Sequence, residues 1–414
     1  MKFRSQTLAN GLEVVAECNA AAHSLGVGFF VRTGARDETD ELAGVSHFLE
    51  HMVFKGTPHR SADDVNREFD ELGAHYNAFT SEENTVYYAA VLPEYQAPCV
   101  DLIADIMRPS LREDDFEMEK KVILEEIQMY ADQPPFGMDD KIKELHFGKH
   151  PLARSVLGTA DSVAALSADQ MQSYFDACYS PGNMFVAAAG RVDFDELVQQ
   201  VERLCGAWPE RPRARDLPAA DSHPKFHCVH RPSASQQYCL QLADAPASES
   251  DDRYAAKLLA TMFGDDSGSR LYWELVDPGL TESASLGHFE YLGAGMFFSW
   301  LSCDPEDAPA NFDRMVDLQG RVEQNGFTAE ELRQAQSKLK ARVVLGSERP
   351  RNRLFNVGGN WMQRREYRSV ADDLATVEGV TLDDIHRVLT EFPLTRHTTV
   401  TVGPLEDWPR SAES

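Results

Sequence analysis

Two tandem α+β domains are the fold class that this sequence predicts. Three observations carry that expectation: a proline-rich break near the middle, a helix–strand pattern that recurs on either side of it, and a length of 414 residues, more than one core of ~100–200 residues usually fills. The break runs from Trp208 to Phe226, holds four prolines and few apolar side chains, and reads as an extended linker. It sets domains at 1–211 and 225–414, joined by 212–224. In the first half, Ser167 caps a helix that is followed by a strand at Met184–Ala189 and by Gly190. In the second, Thr381 caps a helix followed by a strand at Thr398–Val402 and by Gly403. The offsets, 214 residues for the caps and 213 for the glycines, point to a duplicated unit.

Smaller elements follow in order. Asn10-Gly11 between Leu8 and Val15 predicts a hairpin turn. Leu25–Arg32 and Thr85–Leu92 read as strands, and helices are expected at about Glu41–Phe54, Ala62–Leu72 and Glu113–Ala131.

A composition of 43% hydrophobic and 26% charged residues is that of a globular chain. A net charge of -27 argues against nucleic acid, whose phosphates need a cationic stripe. The same charge suits either solubility or a field that gathers cationic peptides. Seven dispersed cysteines, with no Cys-x-x-Cys pair, suggest reduced thiols. No secretory pattern opens the chain and no apolar run approaches the ~20 residues of a membrane helix, so a cytoplasmic protein without a membrane partner is expected.

The stretch Gly44-Val45-Ser46-His47-Phe48-Leu49-Glu50-His51-Met52-Val53-Phe54 carries the chemistry. His47 and His51 stand at i and i+4, so both imidazoles leave one helix face and can reach one metal ion. Glu50 adjoins the second histidine in the inverted H-x-x-E-H order, where a carboxylate can reach a metal-activated water. At 100° per residue, Leu42, Val45, Phe48, Leu49, Met52 and Val53 fall in one arc of about 140°, with His47, Glu50 and His51 opposite.

A catalytic zinc site needs a third protein ligand and an open fourth position. In the helix at 113–131, Glu119 and Glu126 lie two turns apart inside an apolar arc running from Val122 to Ile127, while Glu117 and Glu125 lie on the polar side. A carboxylate on an apolar face is costly unless paired or metal-bound. Glu126 is therefore nominated as ligand, and Glu119 as the residue that orients a histidine or Glu126. Pairing of both with Arg or Lys is the alternative.

These residues resemble the pitrilysin/insulinase family of zinc peptidases, the H-x-x-E-H inverzincins, especially the mitochondrial-processing-peptidase branch and its bacterial relatives. The resemblance rests on Gly44–Thr57, on Leu72-Gly73-Ala74-His75-Tyr76-Asn77-Ala78-Phe79-Thr80-Ser81-Glu82-Glu83-Asn84-Thr85-Val86-Tyr87-Tyr88, on Val122-Ile123-Leu124-Glu125-Glu126 and on Tyr179-Ser180-Pro181-Gly182-Asn183-Met184. It is dense in the first half and thin in the second. It implies one Zn²⁺ per chain on His47, His51 and Glu126, with Glu126 lying 75 residues beyond His51, and Glu50 as general base. It also implies a tandem α+β fold whose metallohydrolase-like sheets carry helices on one face, forming half of a clamshell around unfolded peptides. The edge strand at Asn77, Ala78 and Phe79 would pair with the substrate backbone.

The second half departs from the family pattern R-L-x-x-E-L-R-x-x-x-G-L-x-Y. Here the run is Arg270-Leu271-Tyr272-Trp273-Glu274-Leu275-Val276-Asp277-Pro278-Gly279-Leu280-Thr281-Glu282, so Val276 and Glu282 stand where an arginine and a tyrosine are expected. The reading is a zinc metalloendopeptidase working as a homodimer, or as a heterodimer with a homologous subunit that supplies Arg and Tyr. A non-catalytic scaffold subunit of the same family and a peptide-binding module with structural zinc are the alternatives.

Overall fold

A computed structural model describes residues 1–132, 135, 137–211 and 214–408. Its first sheet is built from β1 (Lys2–Thr7), β2 (Glu13–Cys18), β3 (Leu25–Val31), β4 (His75–Thr80), β5 (Thr85–Val91) and β6 (Met184–Gly190). Between and after these strands come α1 (Val45–Val53), α2 (Ala62–Glu71), α3 (Gln96–Ile106), α4 (Glu113–Asp132) and α5 (Met138–Phe147). The short α6 (Ala160–Ala165), α7 (Ala168–Cys178) and α8 (Phe194–Cys205) complete the first half. The second sheet comprises β7 (Phe226–His230), β8 (Gln237–Asp244), β9 (Ser283–Tyr291), β10 (Ala294–Cys303) and β11 (His397–Gly403). Its helices are α9 (Arg253–Gly264), α10 (Ala308–Asn325), α11 (Ala329–Ser347), α12 (Pro350–Arg364), α13 (Val370–Gly379) and α14 (Leu382–Glu391).

The strand orders are β1-β2-β6-β3-β5-β4 and β7-β11-β8-β10-β9. Apart from β1, each strand of the first sheet has a counterpart at the same place in the second. The one parallel pairing in each, β2 with β6 and β7 with β11, falls in the same place too. Ser167 and Thr381 both cap their helices through the side-chain oxygen, as the duplicated pattern predicts.

Two compact units emerge. The first comprises 1–128, 154–216 and 345–368, and the second 129–153, 217–344 and 369–414. Relative to a division at the proline-rich segment, 129–153 and 345–368 are exchanged. In the first unit, one sheet face packs Val27, Phe29 and Val31 against the apolar sides of α1, α3, α7 and α8. The other face carries Phe30, Val86, Phe185 and Ala187, which α12 covers with Leu354, Val357 and Met362. The expectation of helices on one face thus gains a further helix on the other. Gly358 permits the approach, because a Cβ there would stand 2.2 Å from Cζ of Phe30. Buried Arg353 of α12 donates to Glu17 on β2 at 3.0 Å, and the Tyr367 hydroxyl donates to the same carboxylate at 2.7 Å. In the second unit, α5 packs Ile142 and Phe147 on Leu240, Leu242, Val400 and Val402.

Local differences from the expected elements have identifiable causes. The helix expected from Glu41 begins at Val45, because Gly44 takes a left-handed φ of 91° and separates it from a 3₁₀ turn at Asp40–Leu42. Val122, placed on the buried arc of α4, is 44% exposed. From 214 to 225 the backbone is neither helix nor strand, but it is pinned. Arg215 donates to Asp37 at 2.8 and 2.6 Å in the first unit, and His150 meets the Pro218 carbonyl at 3.0 Å in the second. Pro212 and Arg213, at the start of the expected linker, lie outside the described residues. All seven cysteines are free, and among the described residues no helix is long and apolar enough to cross a membrane.

Candidate metal centre

The centre grows from the amphipathicity of α1. Val45, Phe48, Leu49, Met52 and Val53 are all but inaccessible, which fixes the helix against the sheet and turns His47, Glu50 and His51 to the other side. Phe48 stacks on Phe116 of α4 with ring centroids 4.7 Å apart, so the two helices that carry the candidate ligands are packed directly together. The start of α1 is held by a residue outside it. The buried Glu38 carboxylate accepts the Gly44 N–H at 2.8 Å and the Ser46 N–H at 2.7 Å, satisfying donors that a helix start leaves open. Burial pushes this carboxyl up to about 8, with those two N–H groups pulling the other way.

One atom each of His47, His51 and Glu126 lie within 4.8 Å of one another, the sole such cluster of three potential ligands among the described residues. Glu126 Oε2 stands 3.8 Å from His47 Nε2 and 4.0 Å from His51 Nε2. The other ring nitrogen of His51 is committed, since Nδ1 meets Glu119 Oε1 at 2.9 Å. Glu119 is buried, and its second oxygen takes the Lys55 ammonium at 2.6 Å. Glu119 thus contacts both a histidine and a lysine. Glu117 and Glu125 are exposed.

The electrostatics suit a cation. Burial, with the neighbouring His51, holds His47 down at about 4, so its imidazole is neutral and able to ligate near neutral pH. Burial pushes His51 the same way, but the Glu119 contact and the nearby Glu50 and Glu126 carboxylates outweigh it and raise the proton affinity. Two imidazole nitrogens and one carboxylate oxygen form the donor set of a catalytic zinc site with a position left for water. Each histidine presents the same nitrogen, Nε2, to that point. The residues present fit zinc.

Glu50 lies beside this cluster, and its Oε2 accepts the Thr80 hydroxyl at 2.6 Å. Burial raises its proton affinity, against the Thr80 hydrogen bond and His51. Thr80 ends β4, the outermost strand of its sheet, so Asn77, Ala78 and Phe79 stand on a free edge next to the carboxylate. A hollow of about 320 Å³ lined by Glu50, His51, Phe54, Lys55, Asn66 and Asn77 opens there.

The chain matches the model of the insulinase family of peptidases, M16, over residues 13–160, and the peptidase M16 inactive domain over residues 165–339. It is 34% identical to an uncharacterized zinc protease of Mycobacterium tuberculosis, covering 97% of this chain and 93% of that one. The chain belongs to the insulinase family of peptidases. A second relative, named as a probable beta subunit of the mitochondrial-processing peptidase of Arabidopsis thaliana, is 28% identical over 98% of this chain and 79% of its own. The crystal structure of a protease from Helicobacter pylori shares the fold, with a TM-score of 0.91 at 22% identity, covering 97% and 99% of the two chains. Membership, relatives named zinc proteases and the His-His-Glu cluster together support a protease function and zinc binding.

Among the described residues, the second half contributes no comparable centre. Arg270 is committed to Glu331 at 3.1 Å through Nη2 and, more closely, through Nε. Val276 is half-buried against the second core, and the Glu282 carboxylate accepts from the Gln236 amide. Thr80, Lys55 and Glu38 went unnoticed in the sequence. Thr80 is two residues beyond Ala78 on the same strand, so strand alternation puts it on the Ala78 face and could have found it.

Proposed function

We propose that this chain is a zinc metalloendopeptidase acting on unstructured peptides, with one zinc per chain. The convergence of His47, His51 and Glu126 within 4.8 Å, beside Glu50 and a free strand edge, is the observation that carries this reading. Zinc, when bound, supplies a Lewis acid that brings the pKa of a water down to about 7. Glu119 holds the His51 ring in place by its Nδ1 contact, leaving Nε2 for the ion. Glu50, steered by Thr80, takes a proton from the attacking water and delivers it to the leaving amine. The outer edge of β4 offers its N–H and C=O groups to an extended substrate backbone, fixing the scissile carbonyl beside the carboxylate. The dispersed free thiols favour a reducing compartment, which we take to be the cytoplasm.

The working form is proposed to be a heterodimer with a homologous subunit that carries the Arg and Tyr replaced here by Val276 and Glu282. Without them the electrophilic help to the scissile carbonyl is missing from this chain. The zinc-loaded chain alone should therefore cleave an unstructured peptide slowly, cease on chelation, and speed up when such a subunit is added. Fast cleavage by a homodimer of this chain would contradict the heterodimer and leave the metal site untouched. No chelator-sensitive cleavage under either condition would contradict the peptidase reading.

A further inference from the structure

The free edge of β4 has two faces built by different parts of the chain. Side chains alternate across a strand. On one face, Tyr76 stacks on Phe69 of α2 with centroids 4.0 Å apart, Ala78 enters the core beside α1, and Thr80 reaches Glu50. His75 and Phe79 stand on the other face, where α12 lies. The Phe355 ring is 5.8 Å from that of Phe79 and 4.7 Å from that of Tyr88. The Arg351 guanidinium lies 3.3 Å from His75 Nε2.

Two features of this face bear on what it could bind. Phe79 is 40% exposed although an aromatic neighbour is at hand, which leaves apolar area to cover. Arg351 has no carboxylate within ion-pair reach among the described residues, in a chain with 67 acidic residues against 40 basic ones. Arg36, Arg60, Arg215 and Arg353 of the same unit are paired, whereas Arg108, Arg191, Arg203 and Arg349 have no carboxylate in reach among the described residues either; Arg351 stands beside the β4 edge. An unpaired cation near an open strand edge is poised for an anion that comes from outside.

A peptide added to β4 places each side chain on the face of the β4 residue opposite it, with Cβ atoms about 4.5–5.5 Å apart. Residues opposite Tyr76, Ala78 and Thr80 meet the α1 side, where the metal centre is. Residues opposite Phe79 and His75, four apart in the peptide, meet α12. We propose that α12 sets the sequence preference of the bound peptide, taking an apolar side chain against Phe79 and Phe355 and, four residues away, a carboxylate at Arg351 and His75. This rests on the reading of β4 as the substrate-pairing edge, and adds a specificity surface away from the reacting bond.

The test uses unstructured peptides of one sequence in which a fixed Phe is followed or preceded, four residues away, by Glu, Gln or Lys. Cleavage is followed as kcat/KM with the zinc-loaded full chain. Binding is followed by fluorescence anisotropy with the zinc-loaded Glu50→Gln variant, which does not depend on turnover. The Glu peptide should be favoured over the Lys peptide by roughly twofold to fivefold, the scale of an exposed charge pair. Arg351→Glu should reverse the order, and the variant should fold, because an acid in the first turn of α12 suits the helix dipole. Phe355→Ala should remove the preference for Phe over Ser at the apolar position. If Arg351→Glu weakens all three peptides alike, leaves their order unchanged, or if no peptide binds, the inference is overturned. Ranking preserved in binding but no cleavage by the wild-type chain would overturn the peptidase reading alone.

Discussion

Glu50→Gln is expected to keep one zinc per chain while hydrolysis falls about 10²–10⁴-fold, the usual contribution of a positioned general base. Glu50 is outside the set of three converging ligand atoms, so its charge is not needed to hold the ion. Gln is nearly isosteric and its carbonyl can still accept the Thr80 hydroxyl, so the end of β4 keeps its anchor. What is lost is the ability to take a proton. Metal analysis beside peptide hydrolysis separates the two effects. Loss of zinc in this variant would show that Glu50 is a ligand and that the roles of the H-x-x-E-H residues are misassigned.

Glu126→Gln should lower zinc affinity more than any other single carboxylate substitution in α4. Replacing a residue that only orients a ligand typically costs about 10–100-fold in affinity, so Glu119→Gln should fall in that range and Glu126→Gln beyond it. Glu125→Gln should change nothing measurable, because that side chain is exposed and surface substitutions usually stay within about 0.5 kcal/mol. The three variants share one helix and one change of charge, which makes their order informative. Competition with a zinc chelator gives the three affinities. An equal drop for Glu125→Gln and Glu126→Gln would point to the general field of the acidic helix rather than to a ligand.

Much of this site was legible in the sequence because helix periodicity fixes which side chains share a face. The apolar run from Val45 to Val53 places His47, Glu50 and His51 together, and the two-turn spacing of Glu119 and Glu126 points both at the neighbouring helix. The start of α1 was misjudged because the glycine that interrupts it acts through its φ, which periodicity does not report. Val122 was assigned to the core because its arc borders the buried one, and only the packing of α4 decides where the border falls. The β4 edge depends on strand order, a tertiary fact that entered through family resemblance. The position of α12 was not legible at all. Leu354, Val357 and Met362 form its buried stripe, but the sheet that buries them lies far away in sequence, beyond the reach of local patterning. The cap supplied by Glu38 was missed for a similar reason, since it acts from a loop six residues before Gly44.

Anomalous diffraction at the zinc edge, from crystals of the zinc-loaded wild-type chain, tests the central assignment most directly. One peak per chain is expected, at bonding distance of about 2.0–2.2 Å from His47 Nε2, His51 Nε2 and a Glu126 oxygen. Glu50 and Glu119 should lie outside that bonding shell, with Glu119 still on His51 Nδ1. A peak bonded to Glu125 or Glu119 in place of Glu126, or one sited away from α1, would contradict the account.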